Sequence, residues 1–248
     1  MHSLGVQGTQ LFDMSGNGNH GTLTNMDPAT DWSVNQFGIY LDFDGVDDMV
    51  SFASKPADQI TIVGMVKSDA DGDSKYPRIV EMPGYLLIGN RDSGAGNDNS
   101  LEFVSLRSGN NGDWYSPVDS FPHGSTISFA VNYDSSLTAN NPTLWIDGIS
   151  QAVTETVTPS GSQQSNAGTG YLGNRAAANR SFDGRMHNIM YYKRILSGDE
   201  IQQLYLDPLA PFRQRTSKPM FVPSPPVGGG YPAAYYDAVH VQSNPGMM

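Results

Sequence analysis

The chain has 248 residues, 38% of them hydrophobic, and a formal net charge of −11. Such acidity argues against nucleic acid or an anionic membrane as partner, since both require a basic face. No cysteine is present, so disulfides contribute nothing to stability and say nothing of the compartment. The length suits one all-β domain with an appendage, and 12 Tyr, 10 Phe and 3 Trp suffice for one sizeable core. No apolar run approaches the ~18 residues of a membrane span. Residues 1–7 lack a basic end and an apolar centre, so a cleaved secretory signal is not expected there.

In chain order, the first marked feature is Asp13-Met-Ser-Gly-Asn-Gly-Asn-His-Gly-Thr-Leu-Thr-Asn25. Its glycines permit positive φ and its asparagines tolerate it, so the segment forms neither helix nor regular strand. Such a loop can gather carboxylate, amide and carbonyl oxygens around a hard cation such as Ca2+. It can equally be a plain polar surface loop.

Strand-length apolar or alternating runs follow at 38–43, 49–52, 60–66, 78–82, 85–88, 101–106, 126–133, 143–146, 152–157 and 185–192. Turn dipeptides punctuate them: Asp44-Gly45, Asp71-Gly72, Asn111-Gly112 and Asp147-Gly148. Many short strands so separated predict a sandwich or jelly roll. Leu144-Trp-Ile-Asp-Gly148 reads as a strand entering a tight hairpin, with Trp145 in the core.

One helix is predicted after the last long strand. Ser197 is a good N-cap, Glu200 completes a capping box, and Leu196 with Ile201 fits a hydrophobic staple. Ile201, Leu204 and Tyr205 form its expected buried face, and Pro208 lies just beyond its end.

Beyond Asp207 the composition changes, with eight of the 16 prolines, Gly228-Gly-Gly230 and Tyr231-Pro-Ala-Ala-Tyr-Tyr236. A stretch like this buries no core of its own. The expected division is a domain over 1–207 and an extended arm over 208–248. The arm is either a plain flexible tail or an element that orders against a neighbouring subunit through anchors such as Phe212, Phe221, Tyr231, Tyr235 and Tyr236.

The segment Asp13-x-Ser-Gly-Asn-Gly-Asn-His-Gly21, then Leu41-Asp-Phe-Asp-Gly-Val-Asp-Asp48, then Phe182-x-Gly-Arg-Met186 with Tyr192-Lys-Arg-Ile-Leu-Ser197, resembles the laminin G-like, concanavalin A-like lectin/glucanase superfamily. The resemblance spans about residues 9 to 207. It implies an all-β, concanavalin A-like jelly-roll β-sandwich with a short C-terminal helix. By itself it does not choose among lectins, glycosidases, adhesion modules and particle-surface proteins. Relatives place an apolar strand before Asp-x-Ser-Gly. Here little precedes it, so a shortened or missing first strand and an exposed edge are expected.

The resemblance further implies a structural Ca2+ bound by Asp13, Asn17 and Asn19, with the late strand returning beside them. Relatives often carry an acid on that strand, where this chain has His187, a poor Ca2+ ligand, and Asn188, which offers only a carbonyl oxygen. The cluster Asp42, Asp44, Asp47 and Asp48 is a ligand set by count, but reads as turn caps of a β-hairpin. Asp69-Ala-Asp-Gly-Asp73 opens like a Ca2+ loop yet lacks the closing Glu and the flanking helices of an EF-hand.

Glucanase members carry Glu-x-Asp-x-Glu on one strand, and no such motif occurs. Glu81, Glu102, Glu155 and Glu200 are all isolated in sequence, and no nucleophile elbow, metal-binding His pair or phosphate loop is present. The protein is therefore expected not to be an enzyme. For sugar binding, Trp114 and Tyr115 after a polar loop, with Tyr76, are the candidate platform, burial in the core being the alternative.

Three functions follow. The first is a structural or decoration protein of a virus particle, a bacteriophage virion, whose partners are its own copies or other virion proteins. The second is a carbohydrate-binding adhesin gripping a host surface glycan at a virion or bacterial cell surface. The third is a degenerate glycoside hydrolase.

Overall fold

The computed structural model describes residues 6–72, 76–91, 98–165 and 168–212. The chain begins with β1 (Val6–Gln7), β2 (Gln10–Leu11), β3 (Gly21–Thr24), β4 (Trp32–Asn35), β5 (Gly38–Asp44) and β6 (Met49–Ala53). Then come β7 (Gln59–Ala70), β8 (Arg78–Met82), β9 (Leu86–Arg91), β10 (Ser100–Ser105), β11 (Gly112–Tyr115) and β12 (Thr126–Asp134). They are followed by β13 (Thr143–Ile146), β14 (Ile149–Ser150), β15 (Thr154–Val157), β16 (Thr169–Leu172) and β17 (Asp183–Tyr192). Helix α1 (Gly198–Leu206) and a 3-10 turn, Ala210–Phe212, complete the described chain.

The strands form two antiparallel sheets. The first runs β1-β2-β3-β6-β16-β8-β9-β10-β11-β15, and the second runs β14-β13-β12-β7-β17-β5-β4. Alternation along each strand sends one set of side chains between the sheets. Leu101 and Phe103 of β10, Ile79 and Val80 of β8, Ile60, Ile62 and Val66 of β7, and Phe129 and Val131 of β12 meet there in one buried cluster. This is the all-β sandwich that the strand pattern predicts.

Helix α1 forms as its sequence dictates. Ser197 Oγ accepts from the Glu200 backbone N–H at 3.2 Å, and the Glu200 carboxylate accepts from the Ser197 N–H at 2.9 Å. Ile201 and Leu204 then pack with Leu196 against Val63, Ala130 and Met190, which closes the outer face of the second sheet. Tyr205 departs from the expected buried face: it is 38% exposed and rests against the Asp147-Gly148 turn.

Gly184 is required where β17 bulges against β7. Its φ is +133°, and a Cβ there would lie 2.0 Å from the Lys67 carbonyl oxygen. At the N-terminal edge the expected shortened first strand is present as two two-residue strands, β1 and β2, joined to β3 within the same chain. A short edge of this kind offers little to a further strand. One compact unit runs to Phe212. Of the arm anchors, Phe221, Tyr231, Tyr235 and Tyr236 lie outside the described residues.

Candidate functional site on the outer face of the first sheet

The residues of β8 to β11 that point away from the core are largely polar. Register places Arg78 and Glu102 on either side of Gly89, and Tyr115 opposite Glu102. Gly89 makes room for this group: a Cβ there would meet the Pro77 carbonyl at 2.6 Å and crowd the Glu102 and Arg78 side chains.

Glu102 is only 5% exposed and lies at the centre. Arg78 approaches its Oε2 at 3.4 Å and Arg91 its Oε1 at 3.2 Å, while Tyr115 donates to Oε1 at 2.7 Å. Arg78 also bonds Glu81 at 3.2 Å, and Arg91 stands 3.8 Å from Asp113. The Arg91 guanidinium lies 4.8 Å from the Tyr115 ring and 5.0 Å from the Tyr76 ring. Arg180, from the loop between β16 and β17, lies 5.2 Å from the same Tyr76 ring. The backbone carbonyl of Arg180 accepts from the Arg78 N–H at 2.9 Å, which ties that loop to β8.

Geometry and burial both favour a proton on this cluster. The Tyr115 hydroxyl is 2.7 Å from Glu102 and 2.9 Å from Asp113, yet it has one hydrogen to give. Both contacts are full hydrogen bonds when one carboxyl is protonated and donates to the phenol oxygen; otherwise the two carboxylates share one hydrogen. Burial acts in the same direction, pushing Glu102 up to about 7 against the pull of Arg78, and raising Asp113 against Arg91.

Of the predicted platform, Tyr76 and Tyr115 are brought together around Arg91, whereas Trp114 is not a loop residue. It lies on β11, fully buried, stacked on Phe103 at 5.8 Å and beside Tyr133 at 5.5 Å, so it offers no face to a sugar. Pairing of β11 with β10 turns Trp114 inward with Phe103 and Tyr115 outward with Glu102. Tyr115 is itself buried beneath the guanidinium of Arg91, which leaves Tyr76 as the half-exposed aromatic of the three.

The predicted cation loop is organised by its own side chains. Asp13 accepts from the Ser15 N–H at 2.8 Å through Oδ1 and from the Asn19 N–H at 2.9 Å through Oδ2, and the Asn17 amide donates to Ser15 Oγ at 2.9 Å. Those bonds hold the Asp13 carboxyl below its ordinary range even against burial. Asn188 stands on β17 of the other sheet, paired with Met65, and no hydrogen bond among the described residues joins it to the loop. Each Asp13 oxygen accepts one backbone N–H and keeps a lone pair, while Asn188 lies on the other sheet, so the four predicted ligands are not gathered in one place.

The Asp44, Asp47 and Asp48 carboxylates, by contrast, lie within 4.8 Å of one another. They cap the β5–β6 hairpin as expected: Val46 N–H donates to Asp44 at 2.8 Å, and Asp44 N–H donates to Asp48 at 2.9 Å. Asp48 is buried without a cation among its described partners, and desolvation pushes it up to about 6.

A Ser–His–Asp arrangement absent from the sequence expectations also occurs. His123 Nδ1 is 2.8 Å from Ser68 Oγ, and its Nε2 is 3.0 Å from Asp71. Ser68 is 1% exposed, its hydroxyl also reaches the Ala70 carbonyl at 3.2 Å, and its own carbonyl accepts from Gly124 at 2.7 Å. A serine so enclosed does not meet a substrate, and the triplet pins the loop before β12 to the end of β7.

Among solved structures, the chain is similar to a heptameric SAP-like pentraxin from Limulus polyphemus, with 13% identity, a TM-score of 0.53, and 70% of this chain and 84% of that chain covered. It is also similar to Trypanosoma rangeli sialidase bound to the inhibitor DANA, with 14% identity, a TM-score of 0.57, and 84% and 32% covered. The binding domain of Paraclostridial Mosquitocidal Protein 1 gives 14% identity, a TM-score of 0.55, and 81% and 50% covered. The chain thus spans about a third of the sialidase and half of the mosquitocidal domain, and likeness at such identities speaks for the fold alone. No curated protein matches the chain. A laminin G family model, described as the concanavalin A-like lectin/glucanases superfamily, matches residues 44–202, more than half the chain. The chain belongs to the concanavalin A-like lectin/glucanases superfamily.

Proposed function

We propose that this protein is a non-enzymatic, carbohydrate-binding adhesion module whose receptor surface is the outer face of the first sheet. The observation that carries the reading is the bed of Tyr76, Arg91 and Arg180 on that face, with aromatic and guanidinium groups half-exposed above a packed polar layer. Saccharide sites combine an aromatic surface with a few placed polar groups, and this bed supplies both. The non-enzymatic part of the reading is supported by the fate of the acids. Glu102 is enclosed by Arg78, Arg91 and Tyr115, and Ser68 is sealed in β7. Among the described residues no helix is long and apolar enough to cross a membrane.

The setting we infer is the exterior of a larger particle, a bacteriophage virion in the finer form of the reading, with the Pro- and Tyr-rich stretch beyond Phe212 contacting neighbouring subunits. That stretch lies outside the described residues, so its sequence alone supports this part. A structural Ca2+ belongs to the proposal as well, and Asp44, Asp47 and Asp48 suit it better than Asp13, Asn17, Asn19 and Asn188.

The test is capture of saccharides by the full-length protein on a printed glycan panel, repeated with Tyr76→Ala. Retention of a defined saccharide set that Tyr76→Ala releases supports the reading. Binding that survives Tyr76→Ala unchanged, or no binding at all, contradicts it.

A further inference from the structure

We propose that Arg180 and Arg91 form a subsite for the carboxylate of an acidic saccharide, so that the module selects charged sugars over neutral ones. The inference rests on the saccharide-binding reading above and names the ligand class for the same face.

The three arginines of the face are not equally committed. Arg78 is shared between Glu81 and Glu102, and Arg91 between Glu102 and Asp113. The guanidinium of Arg180 makes no ion pair and no hydrogen bond among the described residues. Its Nε is buried without a partner, and so is the Nε of Arg91. Those Nε atoms are closed off, so a ligand would meet the terminal N–H groups of the two side chains. Each guanidinium lies over the Tyr76 ring, at 5.0 and 5.2 Å from its centroid, so contact with that ring limits the freedom each has left to lose on binding.

Charge bookkeeping points to an anion. Among the described residues three guanidinium groups face Glu81, Glu102 and Asp113, and the single hydrogen of Tyr115, close to both of the last two, favours a proton on one of them. Among the described residues the face then carries more guanidinium groups than ionised acids, on a chain whose overall charge is strongly negative. A planar carboxylate satisfies two guanidinium N–H groups at once, which a sugar hydroxyl does not. Carboxylate-bearing sugars, of the uronate or nonulosonate type, are the saccharides that supply it.

The experiment uses the full-length protein. A panel pairing uronate- and nonulosonate-bearing oligosaccharides with neutral counterparts is screened first. The best acidic binder and its methyl ester, the same sugar without the charge, are then titrated calorimetrically against wild type, Arg180→Gln and Arg180→Lys, with melting temperature recorded for each variant. Wild type is expected to prefer the acid over the ester by about tenfold or more, the scale of one or two charge-assisted hydrogen bonds. Arg180→Gln is expected to lose that preference while still binding the ester. Arg180→Lys, which keeps the charge but not the fork, is expected to fall between them. Equal affinity for acid and ester, or an acid preference untouched by Arg180→Gln, overturns the subsite and leaves saccharide binding standing. Failure of every saccharide, charged and neutral, to bind the folded protein overturns both.

Discussion

The two outer faces of the sandwich are both buried, but by opposite means. On the second sheet, Val63, Ala130 and Met190 project outward into an apolar seam that Leu196, Ile201 and Leu204 close from the helix side. On the first sheet, the outward positions of β8 to β11 carry Arg78, Glu81, Arg91, Glu102, Asp113 and Tyr115, which bury one another through hydrogen bonds and ion pairs. The apolar seam is gained once and has nothing left to offer a ligand. The polar face is held by directional, partly unsatisfied groups, which fix geometry more than they add stability.

If the seam is the stabilising face, damage there has the largest effect. Ile201→Ala is expected to cost about 2–5 kcal/mol in denaturant unfolding, the range for a large-to-small core change, while the folded fraction keeps its saccharide binding. A loss of binding by the folded fraction would mean that the two faces are not independent.

The polar face is next, through pH. Folding raises Glu102 from its ordinary 4.5 to about 7, so between those values the folded state holds a proton that the unfolded chain has released. Stability is then highest at the acidic end of this window and falls as pH rises through it, by roughly 3 kcal/mol at about 1.4 kcal/mol per unit. Asp48, raised to about 6, contributes with the same sign. Glu102→Gln, which mimics the protonated acid, is expected to flatten most of this slope in unfolding curves taken from pH 5 to 8. An unchanged slope would place the proton elsewhere.

Ser197→Ala removes the cap of α1 and is expected to cost about 1 kcal/mol, read as a lower melting temperature with no change in saccharide preference. The smallest stability effect belongs to Arg180→Gln, which is expected to stay within about 0.5 kcal/mol of wild type because its guanidinium makes no bond among the described residues to lose. A large destabilisation would make Arg180 a structural residue instead.

The apolar half of this contrast was more legible in the sequence than the polar half. Capping box, staple and stop signal are local, so Gly198–Leu206 could be placed from adjacent residues. The strands with long apolar runs, β7 and β12, were legible for the same reason. Thr169–Leu172 was not, because Gly170 interrupts a four-residue run whose strand character comes from β6 and β8 on either side. For Trp114 the core alternative holds: the polar residues ahead of it suggest a loop, but its inward turn is set by register with Phe103, a contact between strands. The arginine–carboxylate cluster draws on β8, β9, β10, β11 and the loop before β17. No spacing motif can join residues so far apart, and the isolated glutamates of the sequence become neighbours only in the folded sheet. The one trace was alternation: in Leu101-Glu-Phe103 the acid must face away from the core that its neighbours fill.

The most direct test of the central claim is to map, by amide chemical-shift perturbation, where a bound saccharide touches the isotope-labelled full-length protein. The account predicts perturbations gathered on Tyr76, Arg91, Glu102, Tyr115 and Arg180, with the α1 seam silent. Perturbations centred on the Asp44–Asp48 hairpin or the Asp13 loop, with the first sheet's outer face unmoved, would contradict it.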